Sequence, residues 1–316
     1  MLHCAFHHKI HSFMILIADS GSTKTDWCYG TEISNCKIIQ TEGINPFHQS
    51  AEKIESIICQ GLIPQLDFPL ERCTAIYFYG AGCLPPKTES IIHVLQNNFP
   101  EANISVDTDL LGAARALCKD NAGIACILGT GSNSCLYDGK QIIQNISPLG
   151  YILGDEGSGA YLGKRFISDC LKGQLPEILR NGLLEKLNLT VPEILDKVYR
   201  QPEANRFLAS LTTYIHEHKD MPQVHTFLLD CFGEFFRRNV MPYHRSLPVS
   251  FVGSIAWFFH DELTETANSY NIPLGIFIKN PISELIQYHF RIPIINKIKK
   301  GIFPDSQSSL TLNLIP

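Results

Sequence analysis

The chain has 316 residues, enough for two domains rather than one minimal core. Hydrophobic residues make up 45% and charged residues 18%, an ordinary globular balance, and 26 Lys and Arg against 31 Asp and Glu leave a net charge of −5. No basic excess points to nucleic acid, and no apolar run approaches the ~20 residues of a bilayer span, so neither a nucleic-acid nor a membrane partner is expected.

In chain order, residues 1–12 come first and carry His3, His7, His8 and His11. Their i, i+4 spacing could align imidazoles as metal ligands on a helix; the plainer expectation is a non-essential leader, since Met14 would serve as a start. Phe13–Ala18 reads as a buried strand. It stops at Asp19 with no cleavage-type site behind it, which makes it a poor signal peptide. Thr25–Tyr29 and Cys36–Thr41 read as further strands. Ala51, Ile54, Ile57 and Ile58 fall at helical spacing within 50–62. Thr74–Tyr79 is a strand ended by Gly80-Ala81-Gly82, and Pro85-Pro86 is expected to open a helix running to about Asn98. Asn103–Val106 is a strand and Leu110–Cys118 a helix.

The pattern then starts again. Ile124–Leu128 is a strand, and Ser134–Tyr137 with Gln141–Asn145 forms a hairpin across Asp138-Gly139. A long helical region covers 158–240. Pro248–Val252 is a strand, Ile255–Tyr270 a helix, Leu274–Ile278 a strand and Ile282–His289 a helix. Antiparallel strands followed by strand–helix units, twice over, fit a duplicated α/β domain. The expected domains are 14–112 and 113–290, with a helix near 281–290 packing back on the first; the leader 1–13 and the tail 291–316 are left unassigned. Eleven cysteines without C-x-x-C spacing suit buried thiols in a reducing cytoplasm.

Two loops carry the chemistry. Asp19-Ser20-Gly21-Ser22-Thr23-Lys24-Thr25 and Gly129-Thr130-Gly131-Ser132-Asn133 each follow a buried strand and are rich in glycine and hydroxyls. Such loops wrap phosphate oxygens with backbone N–H groups, and two of them suggest two half-molecules gripping one nucleotide. Neither is a Walker A motif. Asp19, ending its strand, could hold Mg²⁺, or could simply bond its own backbone in an Asx turn. Asp109 stands where a strand meets a helix, as N-cap or as the base that takes a hydroxyl proton in phosphoryl transfer, with Asp107 a nearby rival. In Gly154-Asp155-Glu156-Gly157-Ser158, Asp155 could accept sugar hydroxyls, or Asp155 or Ser158 could simply cap the next helix. Gly253 in Val252-Gly253-Ser254-Ile255-Ala256 would let a planar ring approach, though an ordinary strand–helix turn looks similar.

Taken in this order, the D-x-G-x-T-K-T, T-D, G-T-G-S-N, G-D-E-G-S and G-S-I-A runs resemble the BadF/BadG/BcrA/BcrD-type ATPases over about residues 14–290. Within them the likeness is to the N-acetylglucosamine kinase branch of the actin, sugar-kinase and heat-shock ATPase superfamily. The family's first loop often reads D-G-G-G-T-K-T, where this chain has Ser20 and Ser22. The resemblance implies two ribonuclease H-like (actin-like ATPase) domains with a cleft between them. It also implies transfer of the ATP γ-phosphate to the 6-hydroxyl of an N-acetylated amino sugar, and a homodimer. Carried over, Asp109 is the base. Gly21, Ser22, Thr23, Lys24 and Thr25 form the first phosphate loop, and Gly129, Thr130, Gly131 and Ser132 the second. Asn45, Asn133 and Asp155 hold the sugar, and Gly253, Ser254 and Ala256 flank the adenosine. Two competing readings are an iron–sulfur activator ATPase of the 2-hydroxyacyl-CoA dehydratase kind, with Cys126 and Cys170 as cluster ligands, and a non-catalytic sugar sensor.

Overall fold

A computed structural model describes residues 13–21 and 23–291 of the protein. The His-containing leader before Phe13, Ser22, and the tail from residue 292 lie outside the described residues. The described residues divide into two compact units, one made of those from Phe13 to Asp109 together with Leu285–Arg291, the other of Leu110–Glu284.

The first unit is built on β1 (Met14–Ser20), β2 (Lys24–Gly30), β3 (Lys37–Glu42), β4 (Cys73–Gly80) and β5 (Asn103–Thr108), in the order β3-β2-β1-β4-β5. β1 pairs antiparallel with β2 and parallel with β4; β2–β3 is antiparallel and β4–β5 parallel. β1 is central and covered on both faces, which is why it reads as an unbroken apolar run instead of an alternating one. Leu16, Ala18, Trp27, Ile76 and Phe78 face one core, closed by helices α1 (Ala51–Ser56) and α2 (Glu89–Asn98) through Ile54, Ile91 and Leu95. α1 begins at Ser50, whose hydroxyl accepts from the Lys53 N–H, and continues as a π-helical turn over Ile57–Leu62. α2 starts at Glu89, later than Pro85-Pro86 predicted. Residues 84–89 make successive turns, with Lys87 N–H on the Leu84 carbonyl and Glu89 N–H on that of Pro86.

The second unit opens with α3 (Asp109–Cys118) and contains β6 (Gly123–Leu128), β7 (Ser132–Tyr137), β8 (Ile142–Ile146), β9 (Val249–Val252) and β10 (Leu274–Ile278). Their order, β8-β7-β6-β9-β10, repeats the first sheet strand for strand, with the same parallel and antiparallel sense. This is the ribonuclease H-like arrangement occurring twice, as the sequence pattern predicts. The insert between β8 and β9 holds α4 (Gly150–Leu153), α5 (Gly159–Leu171), α6 (Glu177–Leu187), α7 (Val191–Tyr199), α8 (Ala204–Ser210), α9 (Thr212–Glu217) and α10 (Pro222–Phe235). It builds the largest core around Phe166, Phe227, Phe232, Phe235 and Phe251.

The helix expected over 255–270 is two, α11 (Ser254–Phe258) and α12 (His260–Ser269). They break at Phe259, which leaves helical dihedrals (φ −110°, ψ 32°) and buries its ring 6.1 Å from that of Phe232. The last element, α13 (Ile282–Arg291), returns to the first sheet. There His289 stacks on Tyr77 at 3.8 Å and meets the Tyr79 hydroxyl at 2.8 Å. No helix among the described residues is long and apolar enough to cross a membrane.

Candidate active site

In the first unit, Gly21 and Thr23 lie in the connection between β1 and β2. The Gly21 N–H donates to the Lys24 carbonyl and the Gly43 N–H to the Thr23 carbonyl, each at 3.0 Å. Gly21, Thr23 and Lys24 are exposed at this tip, as phosphate contacts would need to be. Ser22, the remaining member of this loop, lies outside the described residues. Thr25 corrects the sequence expectation. It is fully buried, with its hydroxyl 2.7 Å from Ser20 Oγ and 3.2 Å from the Glu42 carbonyl. Ser20 Oγ in turn donates to the Ile44 carbonyl at 3.0 Å and accepts the Ile44 N–H at 2.9 Å. The two hydroxyls therefore brace the hairpin from beneath instead of facing a ligand.

Beside the hairpin the sheet register gathers acids on one face. Asp26 lies directly opposite Asp19, Tyr79 lies beside Asp19 on β4, and Asp107 lies beside Tyr79 on β5. Paired positions project from the same side of a sheet. Asp26, nearly buried, takes the Lys24 ammonium at 2.8 Å, and Asp107 accepts from Ser105 Oγ at 2.9 Å. Asp109, partly buried, is the first residue of α3. The Asp19 carboxyl is pushed up to about 7, first by burial, then by the Asp109 and Asp26 carboxylates, with Lys24 offsetting part of the effect. A hard divalent cation with oxygen ligands suits this donor set, because it would relieve the repulsion that now drives Asp19 towards its neutral form. Among the described residues no three His, Cys, Asp or Glu side chains enclose a metal unaided. Mg²⁺ asks for no such cage, since it keeps waters and substrate phosphates in its shell.

Asn45, in the loop after β3, is almost buried. Its Oδ1 accepts the Phe47 N–H at 3.0 Å, leaving Nδ2 to donate elsewhere.

In the second unit the loop between β6 and β7 is tied to the start of α5. The Gly159 N–H donates to the Gly129 carbonyl at 2.8 Å and the Ala160 N–H to that of Thr130 at 3.0 Å. Asp155, in the left-handed region at φ 54°, lays its carboxylate over Gly131. The Ser132 N–H reaches Oδ1 at 3.4 Å, and a Cβ on Gly131 would come within 3.1 Å of Oδ2. Burial pushes the Asp155 carboxyl up to about 6 against the pull of the Ser132 N–H; Glu156 raises it further and Lys164 lowers it. Ser158, not Asp155, caps α5, its hydroxyl accepting the Tyr161 N–H at 3.1 Å. Asn133 Oδ1 accepts from Asn145 Nδ2 at 2.9 Å.

Gly253 has φ +121°, and a Cβ there would fall on the Leu128 carbonyl, so this glycine lets the β9–α11 turn press against the root of the second loop. Ser254 is exposed beside it. Ala256 is a second correction: fully buried in the core, it cannot touch adenosine with its side chain.

Cys126 and Cys170 are both fully buried, and burial pushes the thiol of Cys170 up to about 12 and that of Cys126 well above its ordinary value. Neither is presented as a cluster ligand. Ser20 stands in the loop read from the sequence, but its bracing of Thr25 was not expected, and Asp26 was not flagged at all. The one available signal for Asp26 was a carboxylate inside the otherwise apolar strand Thr25–Tyr29.

Comparison with known proteins bears on what these sites serve. No family model matches the chain. A candidate N-acetylglucosamine kinase from Porphyromonas gingivalis, of known crystal structure, is 46% identical, superposes with a TM-score of 0.84, and covers 88% of this chain and 99% of its own. The chain belongs to the family of that protein. Another candidate N-acetylglucosamine kinase, from Chromobacterium violaceum, is 18% identical with a TM-score of 0.67 over 89% of this chain and 99% of its own, which shows the shared fold. The N-acetylmuramic acid/N-acetylglucosamine kinase of Clostridium acetobutylicum is 29% identical over 170 residues, 52% of this chain and 55% of that protein. This family member thus spans about half the length of the curated relative it matches.

Proposed function

We propose that the protein is an ATP-dependent kinase of the BadF/BadG/BcrA/BcrD type that phosphorylates the 6-hydroxyl of an N-acetylated amino sugar, with N-acetylglucosamine the first candidate. The observation that carries the reading is the row of acids beside the β1–β2 hairpin, where Asp19 is held near neutrality by burial and two other carboxylates. A fold gains nothing in stability from such repulsion, so a cationic ligand is its natural partner. Kinship with the 46%-identical Porphyromonas gingivalis protein supports the same activity.

In this reading Asp109 aligns the sugar hydroxyl and accepts its proton as the new O–P bond forms and the bond to the β-phosphate oxygen breaks, releasing ADP. The family resemblance assigns phosphate contacts to the exposed tip at Gly21 and Thr23 in the first unit and to Gly129, Thr130, Gly131 and Ser132 in the second, with the Gly21, Gly129 and Ser132 N–H groups already engaged within their own loops. Lys24, now paired with Asp26, supplies charge to the same phosphates. Asp19 would hold Mg²⁺, which would supply charge neutralisation to the nucleotide phosphates. Asn45 Nδ2, Asn133 and Asp155 meet the sugar, and the backbone at Gly253 and Ser254 flanks the adenosine. The reading puts the enzyme in the cytoplasm as a homodimer.

The experiment is ATP consumption with Mg²⁺ against N-acetylglucosamine, N-acetylmuramic acid, N-acetylmannosamine and glucosamine, with the product mapped by NMR. Phosphate on O6 of an N-acetylated sugar is expected; ATP hydrolysis indifferent to every sugar contradicts the reading.

A further inference from the structure

Within the second unit, Asn239 ties together two segments that the kinase reading assigns to the sugar. α10 runs on into a π-helical turn, Phe236–Val240, and Asn239 lies in it, almost fully buried. Such turns gather at functional sites. Carbonyls at a helix C-terminus lack intrahelical partners, and the Asn239 carbonyl accepts the hydroxyl of Ser134, on β7, at 2.7 Å. Ser134 adjoins Asn133. Its hydroxyl also lies 2.8 Å from that of Tyr243, which accepts the Ile146 N–H of β8 at 3.2 Å. From its side chain, Asn239 Nδ2 donates to Glu156 Oε2 at 3.2 Å. Glu156 adjoins Asp155.

The loop that carries Asp155 needs such a link. Asp155 keeps φ 54°, a conformation costly for a non-glycine residue, which persists only where its surroundings over-determine it. Its N–H donates to the Pro148 carbonyl at 2.9 Å, and its carbonyl accepts the Ser158 N–H at 3.0 Å. Gly157, at φ +73°, then presses the loop against the end of α10, where a Cβ would lie 2.9 Å from that of Phe235. Between these fixed points the Glu156 side chain is 12% exposed. Arg238 approaches its other oxygen only to 3.8 Å, is 64% exposed, and is held by Glu234 at 2.7 Å. The buried amide of Asn239 is therefore the anchor for Glu156, and a directional hydrogen bond specifies one arrangement of the loop where apolar packing alone would allow several.

Resting on the kinase reading of Asn133 and Asp155 as sugar contacts, we propose that Asn239 is a positioning residue for the sugar, bridging Ser134 on one side and Glu156 on the other. It touches neither the nucleotide nor the reacting hydroxyl. Its carbonyl fixes β7 beside Asn133, and its amide fixes the turn that lays the Asp155 carboxylate over Gly131. One buried side chain thus sets the spacing of two sugar contacts that stand 22 residues apart in the chain, and its loss is felt by the sugar and not by ATP.

The test uses the full chain with the sugar panel above, and hydrogen–deuterium exchange is read alongside. Asn239→Asp keeps the shape of the side chain and turns the donor into an acceptor facing Glu156. Its KM for the sugar should rise at least ~10-fold, the scale of one lost hydrogen bond to a charged group, with KM for ATP near the parental value. Exchange over residues 154–158 should quicken while that over β2 stays parental. Adding Glu156→Gln puts the donor on the other side of the pair and should return both readings towards the parent. Ser134→Ala cuts the other link at a separate position; it should raise the sugar KM at least ~3-fold with KM for ATP unchanged, and it serves as the test if Asn239→Asp does not fold. A parent inert towards every sugar overturns the kinase reading and this role with it. Given an active parent, a parental sugar KM in either single variant, an equal rise in KM for ATP, or a double variant no better than Asn239→Asp overturns this role alone.

Discussion

Asp19 and Asp26 face each other directly across β1 and β2, and Asp26 alone of the two holds the Lys24 ammonium, at 2.8 Å. Like charges opposite one another destabilise a sheet, and here the burden falls on Asp19, whose carboxyl is pushed up to about 7 from an ordinary 3.8. The folded state keeps a proton that the unfolded chain releases, so stability falls as pH rises from about 4 to about 7. Asp19→Asn should therefore raise unfolding stability at pH 8 by about 1–3 kcal/mol and change little near pH 4. Urea melts at the two pH values check this. Added Mg²⁺ should raise the melting temperature of the parent at pH 8 and leave that of Asp19→Asn unmoved.

The buried hydroxyls of Ser20 and Thr25 make a separate prediction. Thr25→Val removes one partner of a fully buried network and should cost about 1–3 kcal/mol in stability. A variant of unchanged stability but raised KM for ATP would instead return Thr25 to the ligand side of the hairpin.

These two residues also show how far the sequence could be read. Asp19 was visible because a carboxylate ended an apolar run, and the loop because glycine and hydroxyl residues followed it. Thr25 and Ala256 sit in motifs matched as strings, but the side on which a strand or helix residue projects is set by register and packing. Both point inwards. Asp26 went unnoticed for the same reason: only the pairing of β1 with β2 brings it opposite Asp19. The duplicated fold was legible because strand order follows from apolar runs broken by turn residues. The break at Phe259 was not, because the buried ring that imposes it packs on Phe232, distant in sequence.

Asp155 carries a pH dependence of its own. With its carboxyl pushed up to about 6, it is an ionised acceptor at pH 7.5 and a neutral one by pH 5. If it receives sugar hydroxyls, KM for the sugar should rise as pH falls through about 6 while KM for ATP stays flat. Steady-state kinetics at saturating ATP check the sign, and a pH-independent sugar KM contradicts the role.

Gly253→Ala should be strongly destabilising, by about 2–4 kcal/mol, since the substitution meets both a left-handed φ of +121° and the Leu128 carbonyl. The thermal shift measures it. Retention of the parental melting temperature would mean that the turn can move off the second loop.

The most direct test of the account is phosphoryl transfer to N-acetylglucosamine by the parent and by Asp109→Asn, with nucleotide affinity measured alongside. The account predicts at least a ~10²-fold fall in kcat with ATP binding nearly intact. Near-parental turnover by Asp109→Asn would contradict it.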